Sequence, residues 1–134
     1  MALQNVNVIE ATLDCTTVTA TGAYSVLTIP AYTVVLAAGV EVTEALTGAS
    51  ALTFDVGTGV DDDEWVAAYA MASKAVGAVA SSTPGLFNAA AEDTIDVQVD
   101  TLTGTVTAGK LRVWAIVVDC DGREAEEVDR DLLA

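Results

Sequence analysis

Residues 94–100, TIDVQVD, alternate apolar and polar side chains without interruption. Successive side chains of a β-strand point to opposite faces of its sheet. This spacing therefore predicts a strand that buries Ile95, Val97 and Val99 and turns Asp96 to the solvent.

Residues 111–118, LRVWAIVV, predict a second strand, which begins with alternation and ends in continuous apolar residues. A fully apolar run is typical of a central strand that is covered on both faces. We predict that Val113, Ala115 and Val117 face the interior, and we assign Trp114 to the core as well.

Shorter β-branched runs separated by Gly and Pro turn signals occupy the rest of the chain. Residues 33–46 predict a long strand bent at Gly39. Residues 51–56 alternate, which places three apolar side chains on one face: Leu52, Phe54 and Val56. Many short strands with turns between them predict an all-β sandwich or barrel.

Residues 61–80, DDDEWVAAYAMASKAVGAVA, allow two interpretations. In the first they form a helix that is capped by Asp61 and has four residues on one face: Trp65, Tyr69, Ala72 and Val76. In the second they form an acidic loop followed by one or two strands. Local propensity leaves both interpretations open, although the Ala content favours a helix.

The charge balance excludes several classes of function. The chain has 20 acidic residues, five basic residues and no histidine, which gives a formal net charge of −15. Without an imidazole, Ser-His-Asp catalysis, Cys-His catalysis and His-ligated metal sites are impossible. Binding to nucleic acid or to an anionic membrane requires clustered Lys and Arg, so we expect neither partner.

Two motifs are candidate ligand sites. Residues 104–110, GTVTAGK, match the first seven positions of a P-loop, but Leu111 stands where Ser or Thr is required and a strand is predicted next. The acids at 61–64, with Asp55, could hold calcium, but their spacing is not that of an EF-hand. We expect an exposed acidic turn, and no catalytic residue, cofactor or bound metal.

The chain has two cysteines, Cys15 and Cys120, whose spacing fits no zinc or redox motif. They could be two buried thiols in a reducing compartment. They could also form one disulfide that ties the first strand to the last. The sequence leaves the choice open.

The last 14 residues, 121–134 (DGREAEEVDRDLLA), change sharply in composition. Two opposite-charge pairs spaced four residues apart could brace a helix there. Val128, Leu132 and Leu133 form a weak apolar stripe and are the candidate contact with a neighbouring subunit or a capsid. The alternative is a solvated terminus.

Residues 28–118, about two-thirds of the chain, resemble a family of small virion proteins of tailed bacteriophages. The order of several segments carries the resemblance: 29–36 (IPAYTVVL), 39–42 (GVEV), 52–59 (LTFDVGTG), 61–66 (DDDEWV), 91–97 (AEDTIDV) and 107–118 (TAGKLRVWAIVV). The resemblance implies a β-sandwich of jelly-roll type, often trimeric, that serves as head decoration or cement or in an appendage. It carries no catalytic residues, and it favours loop plus strand for residues 61–80.

The resulting expectation is an all-β, antiparallel, jelly-roll-like β-sandwich over residues 1–120, followed by an acidic tail or arm at 121–134. We expect a structural protein that decorates or cements the outside of a phage capsid. It would be a homotrimer in contact with the major capsid protein, assembled in the host cytoplasm. A protein of this charge is repelled by packaged DNA, which favours an outward position.

The alternative expectation is a glycan- or receptor-binding sandwich module of a tail or fibre. Exposed aromatic side chains on loops would favour this alternative, whereas aromatic side chains buried in strands favour a structural protein. Enzymatic activity is not expected.

Overall fold

The computed structural model describes residues 6–82, 87–89 and 91–119, and these ranges form one antiparallel sheet of seven strands. The strands are β1 (Val6–Asp14), β2 (Gly22–Ile29), β3 (Thr33–Gly57), β4 (Val66–Ala70), β5 (Val79–Ser82), β6 (Phe87–Ala89) and β7 (Asp93–Asp119). Two short 3₁₀ turns, η1 (Cys15–Thr17) and η2 (Met71–Ser73), interrupt the strand pattern. No α-helix occurs within the described ranges, so the all-β prediction is confirmed there.

The segment that sequence left ambiguous, 61–80, forms an acidic turn, strand β4, turn η2 and the start of β5. The helical interpretation is therefore wrong, and loop plus strand is confirmed. Backbone pairing with β3 decides the outcome, because Tyr69 lies opposite Phe54 and Ala80 lies opposite Val40. Helix propensity is a weak preference that tertiary context overrides.

The sheet is built on a long two-stranded ribbon of β3 and β7. Their pairing runs from Thr33 opposite Asp119 to Gly57 opposite Asp96. Along the outer edge of β7 lie β1 and then β2. Along the outer edge of β3 lie β4, β5 and β6.

The ribbon turns back on itself. Ile29, the last residue of β2, pairs with the first residue of β7, whereas Thr33 pairs with the last residue of β7. Four residues span at most about 14 Å, but a straight strand of 27 residues would be about 90 Å long. The two ends of β7 are therefore brought together, and the two halves of the ribbon enclose the core.

We call these halves the β1 half and the β2 half. The β1 half contains β1, β5 and β6 with residues 33–44 of β3 and 110–119 of β7. The β2 half contains β2 and β4 with residues 51–57 of β3 and 93–103 of β7.

Buried side chains from both halves form one core, and it contains the residues that alternation predicted. All of the following are at most 5% exposed: Leu52, Phe54, Val56, Ile95, Val97, Val99, Val113, Ala115 and Val117. The rings of Phe54 and Tyr69 lie 5.2 Å apart, tilted by 44°. The small size of most core side chains lets the two halves approach closely.

The middle of the ribbon is closed by the two 3₁₀ turns. Turn η1 lies on the edge of β7 and turn η2 on the edge of β3, yet the Cys15 thiol contacts the Met71 sulfur at 3.9 Å. Both side chains are fully buried. Asp14 caps η1, since its carboxylate accepts hydrogen bonds from the Thr16 N–H at 3.0 Å and the Thr16 hydroxyl at 2.8 Å.

Two strand predictions need correction. Trp114 is only partly buried and lies on the outer side of the β1 half, because its neighbours Val113 and Ala115 take the inward positions. The strands predicted at 33–46 and 51–56 are parts of one strand, β3, which runs from Thr33 to Gly57. Gly39 permits close packing within it: a Cβ there would lie 2.3 Å from the Ala80 carbonyl oxygen and 2.9 Å from the Trp114 ring.

Cys120 and the predicted tail at 121–134 lie outside the described residues, so the disulfide and helix predictions for them stay predictions. In the described part, none of the helices is long and apolar enough to span a membrane.

Candidate functional site

The outer side of the β1 half is apolar. Residues that lie opposite one another in an antiparallel ladder share a face of the sheet. Val118 lies between Val6 and Val34, and Ile116 lies opposite Val8. We define the apolar outer face by six residues: Val6, Val8, Val34, Trp114, Ile116 and Val118.

This face is open to solvent at the edge strand β1. Val6 is 63% exposed and Val8 is 65% exposed, while the other four residues of the face are partly buried. Tyr32, which precedes β3 near the end of this face, is 55% exposed and has a φ of 58°. Val79 of β5, opposite Glu41, is 58% exposed. Large apolar side chains thus line both the face and its rim.

One ion-pair network crosses the face. The Arg112 guanidinium contacts the Glu10 carboxylate at 3.3 Å and also pairs with Glu41. The guanidinium lies between two carboxylates, so these three charged groups sum to −1. The β1 half therefore carries little net charge on its outer side.

The outer side of the β2 half is polar and acidic. Its outward residues are Ser25, Thr53, Asp55, Thr94, Asp96, Gln98 and Asp100. Desolvation, and then the hydrogen bond and charge of Asp55, raise the pKa of Asp100. The Asp55 carboxylate also accepts a hydrogen bond from the Ala68 N–H at 2.6 Å, which holds the irregular β3–β4 pairing there.

The acidic turn at 58–64 continues this polar side. The buried Thr58 organises it: its N–H donates to the Asp61 carbonyl at 2.8 Å, and its hydroxyl accepts from the Asp61 N–H at 3.2 Å. Gly57 is required before it, because a Cβ at this position would lie 2.1 Å from the Asp61 carbonyl oxygen. The turn is thus fixed by backbone and hydroxyl contacts.

The carboxylates of Asp61, Asp62 and Asp63 lie within 4.8 Å of one another and are exposed. Hydrogen bonds with Asp63 and Glu64 lower the pKa of Asp61, and the same contacts raise the pKa values of Asp63 and Glu64. Calcium takes six to eight oxygen ligands. Asp55, the further ligand considered from sequence, is already bonded to Ala68.

The P-loop-like residues 104–110 lie inside strand β7. In the sheet, Lys110 lies opposite Asp14 of β1 on one side and Glu44 of β3 on the other. The strand continues to Asp119, so the helix that a phosphate-binding loop requires does not follow. A shallow pocket of about 120 Å³ lies beside this segment and is lined by Val18, Leu102 and Val106 among others.

The site residues proposed from sequence, Val128, Leu132 and Leu133, lie outside the described residues. Sequence reasoning missed the apolar outer face. Its signal was present: apolar residues occupy both alternating positions over most of 111–118, and Val6 and Val8 repeat at a spacing of two. By itself, the first pattern equally predicts a strand that is covered on both sides.

Three solved structures from bacteriophage capsids contain chains with a similar fold. A chain of the cyanophage Pam1 capsid asymmetric unit has a TM-score of 0.65 and 22% identity, covering 86% of this chain and 85% of that chain. A chain of the Ralstonia phage GP4 capsid has a TM-score of 0.65 and 19% identity, covering 87% and 85%. A chain of the acidic stable capsid of Helicobacter pylori bacteriophage KHP30 has a TM-score of 0.58 and 13% identity, covering 85% and 90%.

No protein-family model matches the chain, and no curated protein matches it significantly. The chain therefore shares its fold, over most of its length, with chains found in phage capsids.

Proposed function

We propose that this chain is a structural protein of a tailed-phage virion that decorates or cements the outside of the capsid. It acts as a homotrimer in contact with the major capsid protein, and it assembles in the host cytoplasm. We further propose that the folded-back ribbon is a jelly-roll-like β-sandwich. The single observation that carries the proposal is the fold shared with chains of three phage capsids, each match covering at least 85% of both chains.

The distribution of aromatic residues supports a structural role. Phe54, Trp65 and Tyr69 are buried within the fold. Trp114 is partly buried on the outer side of a strand. Tyr32 is more than half exposed before β3, which is the observation that favours the glycan- or receptor-binding alternative. Tyr32 is the single exposed loop aromatic among the residues whose burial the structure describes, which is less than a sugar- or receptor-binding surface requires, because such sites concentrate several aromatic side chains.

We also propose that the chain is not an enzyme. It has no histidine. The pocket beside residues 104–106 has a volume of about 120 Å³, below the roughly 300–1,000 Å³ of typical small-molecule sites, so this segment offers no substrate site of ordinary size.

Virions of the phage that encodes this chain provide the test. Mass spectrometry of purified particles should detect the chain, and a density map should place it on the outer surface of the head. Particles made without the gene should regain that density when the purified chain is added. Absence from virions, or density on the tail or fibre, would contradict the proposal.

A further inference from the structure

The edge strands of the described sheet differ in how well they are protected. The edge of a sheet presents backbone N–H and C=O groups that can pair with a strand of another chain, and proteins usually blunt it with short strands or bulges. Strands β4, β5 and β6 are only five, four and three residues long. Strand β2 is longer, but a register shift between Ser25 and Leu27 interrupts its pairing with β7. These four edge strands are therefore poor templates for a further strand.

Strand β1 is the exception. Its nine residues, VNVIEATLD, pair with β7 in one continuous register, from Val6 opposite Val118 to Asp14 opposite Lys110. The strand contains no Pro, Lys or Arg, and none of its residues is fully buried. Within the described sheet, no strand pairs with its other edge. Strand β1 thus has a long, regular and open edge of the kind that accepts another strand.

The two carboxylates of β1 are already engaged. The Glu10 carboxylate contacts the Arg112 guanidinium at 3.3 Å. The Asp14 carboxylate accepts hydrogen bonds from Thr16, and Lys110 lies opposite Asp14 on β7. These carboxylates therefore add little net charge to the open edge.

The side chains of β1 define the chemistry of an incoming segment. Residues that lie opposite one another on neighbouring strands share a face of the sheet. On the outer side, Val6 and Val8 are 63% and 65% exposed, and on the inner side Ile9 and Ala11 are partly buried against the core. A segment beside β1 thus meets apolar side chains on both faces. An extended, largely apolar segment without acidic residues fits best, because the chain itself carries a net charge of −15.

A second copy of this chain fits the edge less well. Another copy also carries a net charge of −15, which opposes its approach. Two β1 strands that pair antiparallel are related by a two-fold axis, and such a contact does not build the proposed trimer. The occupant is therefore a segment of a different protein.

We propose that the open edge of β1 binds an extended, largely apolar segment of another virion protein, which adds one strand to the sheet. This inference rests on the proposed function for the source of the segment. Backbone hydrogen bonds supply the affinity, and the apolar side chains on both faces of β1 supply the specificity. The added strand covers Val6 and Val8.

Hydrogen exchange of the β1 amides provides the first test. Alternate residues of a strand direct their backbone groups to the same neighbour, so β7 protects one alternate set of β1 amides. The other set should exchange fast in the isolated chain. It should slow by at least about tenfold when the chain is bound to particles made without its gene. Mass spectrometry with residue-level fragmentation, after quenching in acid, reads both sets in both states.

A matched pair of substitutions provides the second test. Val8 of β1 and Val79 of β5 are 65% and 58% exposed, and lysine on an edge strand discourages strand pairing. Val8→Lys should weaken binding to the particles by at least about tenfold, whereas Val79→Lys should leave it unchanged. Circular dichroism checks that both variants fold. If Val8→Lys does not fold, the exchange pattern of the wild type still decides the question.

Each alternative occupant gives a different exchange pattern. Slow exchange of both sets in the isolated chain at every concentration shows an edge that is occupied within one molecule, and overturns the inference. Slowing that depends on the concentration of the isolated chain shows pairing with a second copy, and also overturns it. Equal binding of Val8→Lys and Val79→Lys would contradict it as well.

The inference and the proposed function fail in different ways. A chain that binds particles while the second set of β1 amides stays fast overturns the inference and leaves the capsid role standing. A chain that does not bind particles at all contradicts the proposed function, and with it the virion protein as the source of the added strand.

Discussion

Trp114 and Gly39 are a matched pair of residues on the outer side of the β1 half. They lie opposite one another in the β3–β7 ladder, and the indole ring covers the position where a side chain on residue 39 would project. The tryptophan ring therefore packs against the backbone at Gly39 and stays partly exposed.

The Cys15 thiol should be unreactive in the folded protein. Burial, and then the charges of Asp14 and Glu44, raise its pKa to about 12, so the reactive thiolate is scarce at neutral pH. Native alkylation with iodoacetamide at pH 8, read by mass spectrometry, should leave Cys15 unmodified until guanidinium is added. Modification at the same rate in native and unfolded protein would contradict this prediction.

The same shift links stability to alkaline pH. The Cys15 thiol has a higher pKa in the folded protein than its ordinary value of 9.0, which it keeps in the unfolded chain. It therefore contributes a stabilisation that is complete below pH 9.0 and is lost as the pH rises toward about 12. The midpoint of unfolding in guanidinium should therefore fall over this range, and less so in Cys15→Ala. Cys15→Ala should itself be less stable by about 1–3 kcal/mol, because it leaves a gap beside Met71.

Asp63→Asn should stabilise the protein at neutral pH. Contact with Asp61 raises the pKa of Asp63, so its folded-state stabilisation is complete below the ordinary pKa and is lost as the pH rises through the raised value. An amide mimics the protonated form and removes that loss. The melting temperature should rise at pH 7 and low salt, and the difference should shrink at pH 4 and in 0.5 M NaCl.

Glu92→Gln provides the control for this effect, because it removes one exposed charge outside the acidic turn. At pH 7 the carboxylates of Asp61 and Asp63 repel one another, so Asp61→Asn should also raise the melting temperature. Equal gains from Asp63→Asn and Glu92→Gln would indicate only a general reduction of charge.

At the scale of elements, the acidic turn depends on the residue that precedes it. Gly57→Ala places a methyl group 2.1 Å from the Asp61 carbonyl oxygen, so the turn must move and the Thr58 hydrogen bonds must weaken. We expect a loss of roughly 1–3 kcal/mol in unfolding free energy, the usual cost of forcing an extra methyl into a packed site. Gly59→Ala meets nothing within 4 Å and should change stability little, as urea denaturation can measure.

The same turn is the place to test for a metal. We predict no specific calcium binding, because the three carboxylates at 61–63 are exposed and are fewer than calcium requires. Calorimetry should show no binding tighter than about millimolar, an affinity of roughly 4 kcal/mol. Micromolar binding that is lost in Asp62→Ala would prove this prediction wrong.

The sequence predicts correctly those strands in which one side is buried in the core and the other side is exposed. Ile95, Val97 and Val99 alternate because one side of β7 contacts the core, and the structure buries all three. It could not decide residues 61–80, since Ala-rich composition favours a helix locally and only pairing with β3 selects strands. The sequence predicts the acidic turn. It does not reveal that the turn depends on Gly57 and Thr58, because both act through contacts with the Asp61 backbone that appear only in the folded chain.

At the scale of the whole molecule, the fold depends on pairing between distant strands, which local sequence patterns do not reveal. Three residues between β2 and β3 bring the two ends of β7 together, and this alone turns the ribbon back and gives the protein two outer sides. The apolar run at 111–118 has the same sequence pattern whether a layer of the same chain or another molecule covers it. Only the folded topology shows that the other described residues leave this side of the strand uncovered.

The separation of an acidic side from an apolar one predicts how salt affects assembly. Copies in the homotrimer that we propose are opposed by repulsion between net charges of −15, so apolar burial must hold them together. Salt shortens the Debye length from about 30 Å at 0.01 M to about 8 Å at 0.15 M, so it should weaken the repulsion and strengthen the oligomer. Analytical ultracentrifugation at 10, 150 and 500 mM NaCl should show dissociation constants that fall as salt rises. Ala23→Glu should steepen this dependence and Asp96→Asn should flatten it, because both lie on the acidic side. Dissociation on addition of salt would instead indicate an interface held by ion pairs and would contradict this prediction.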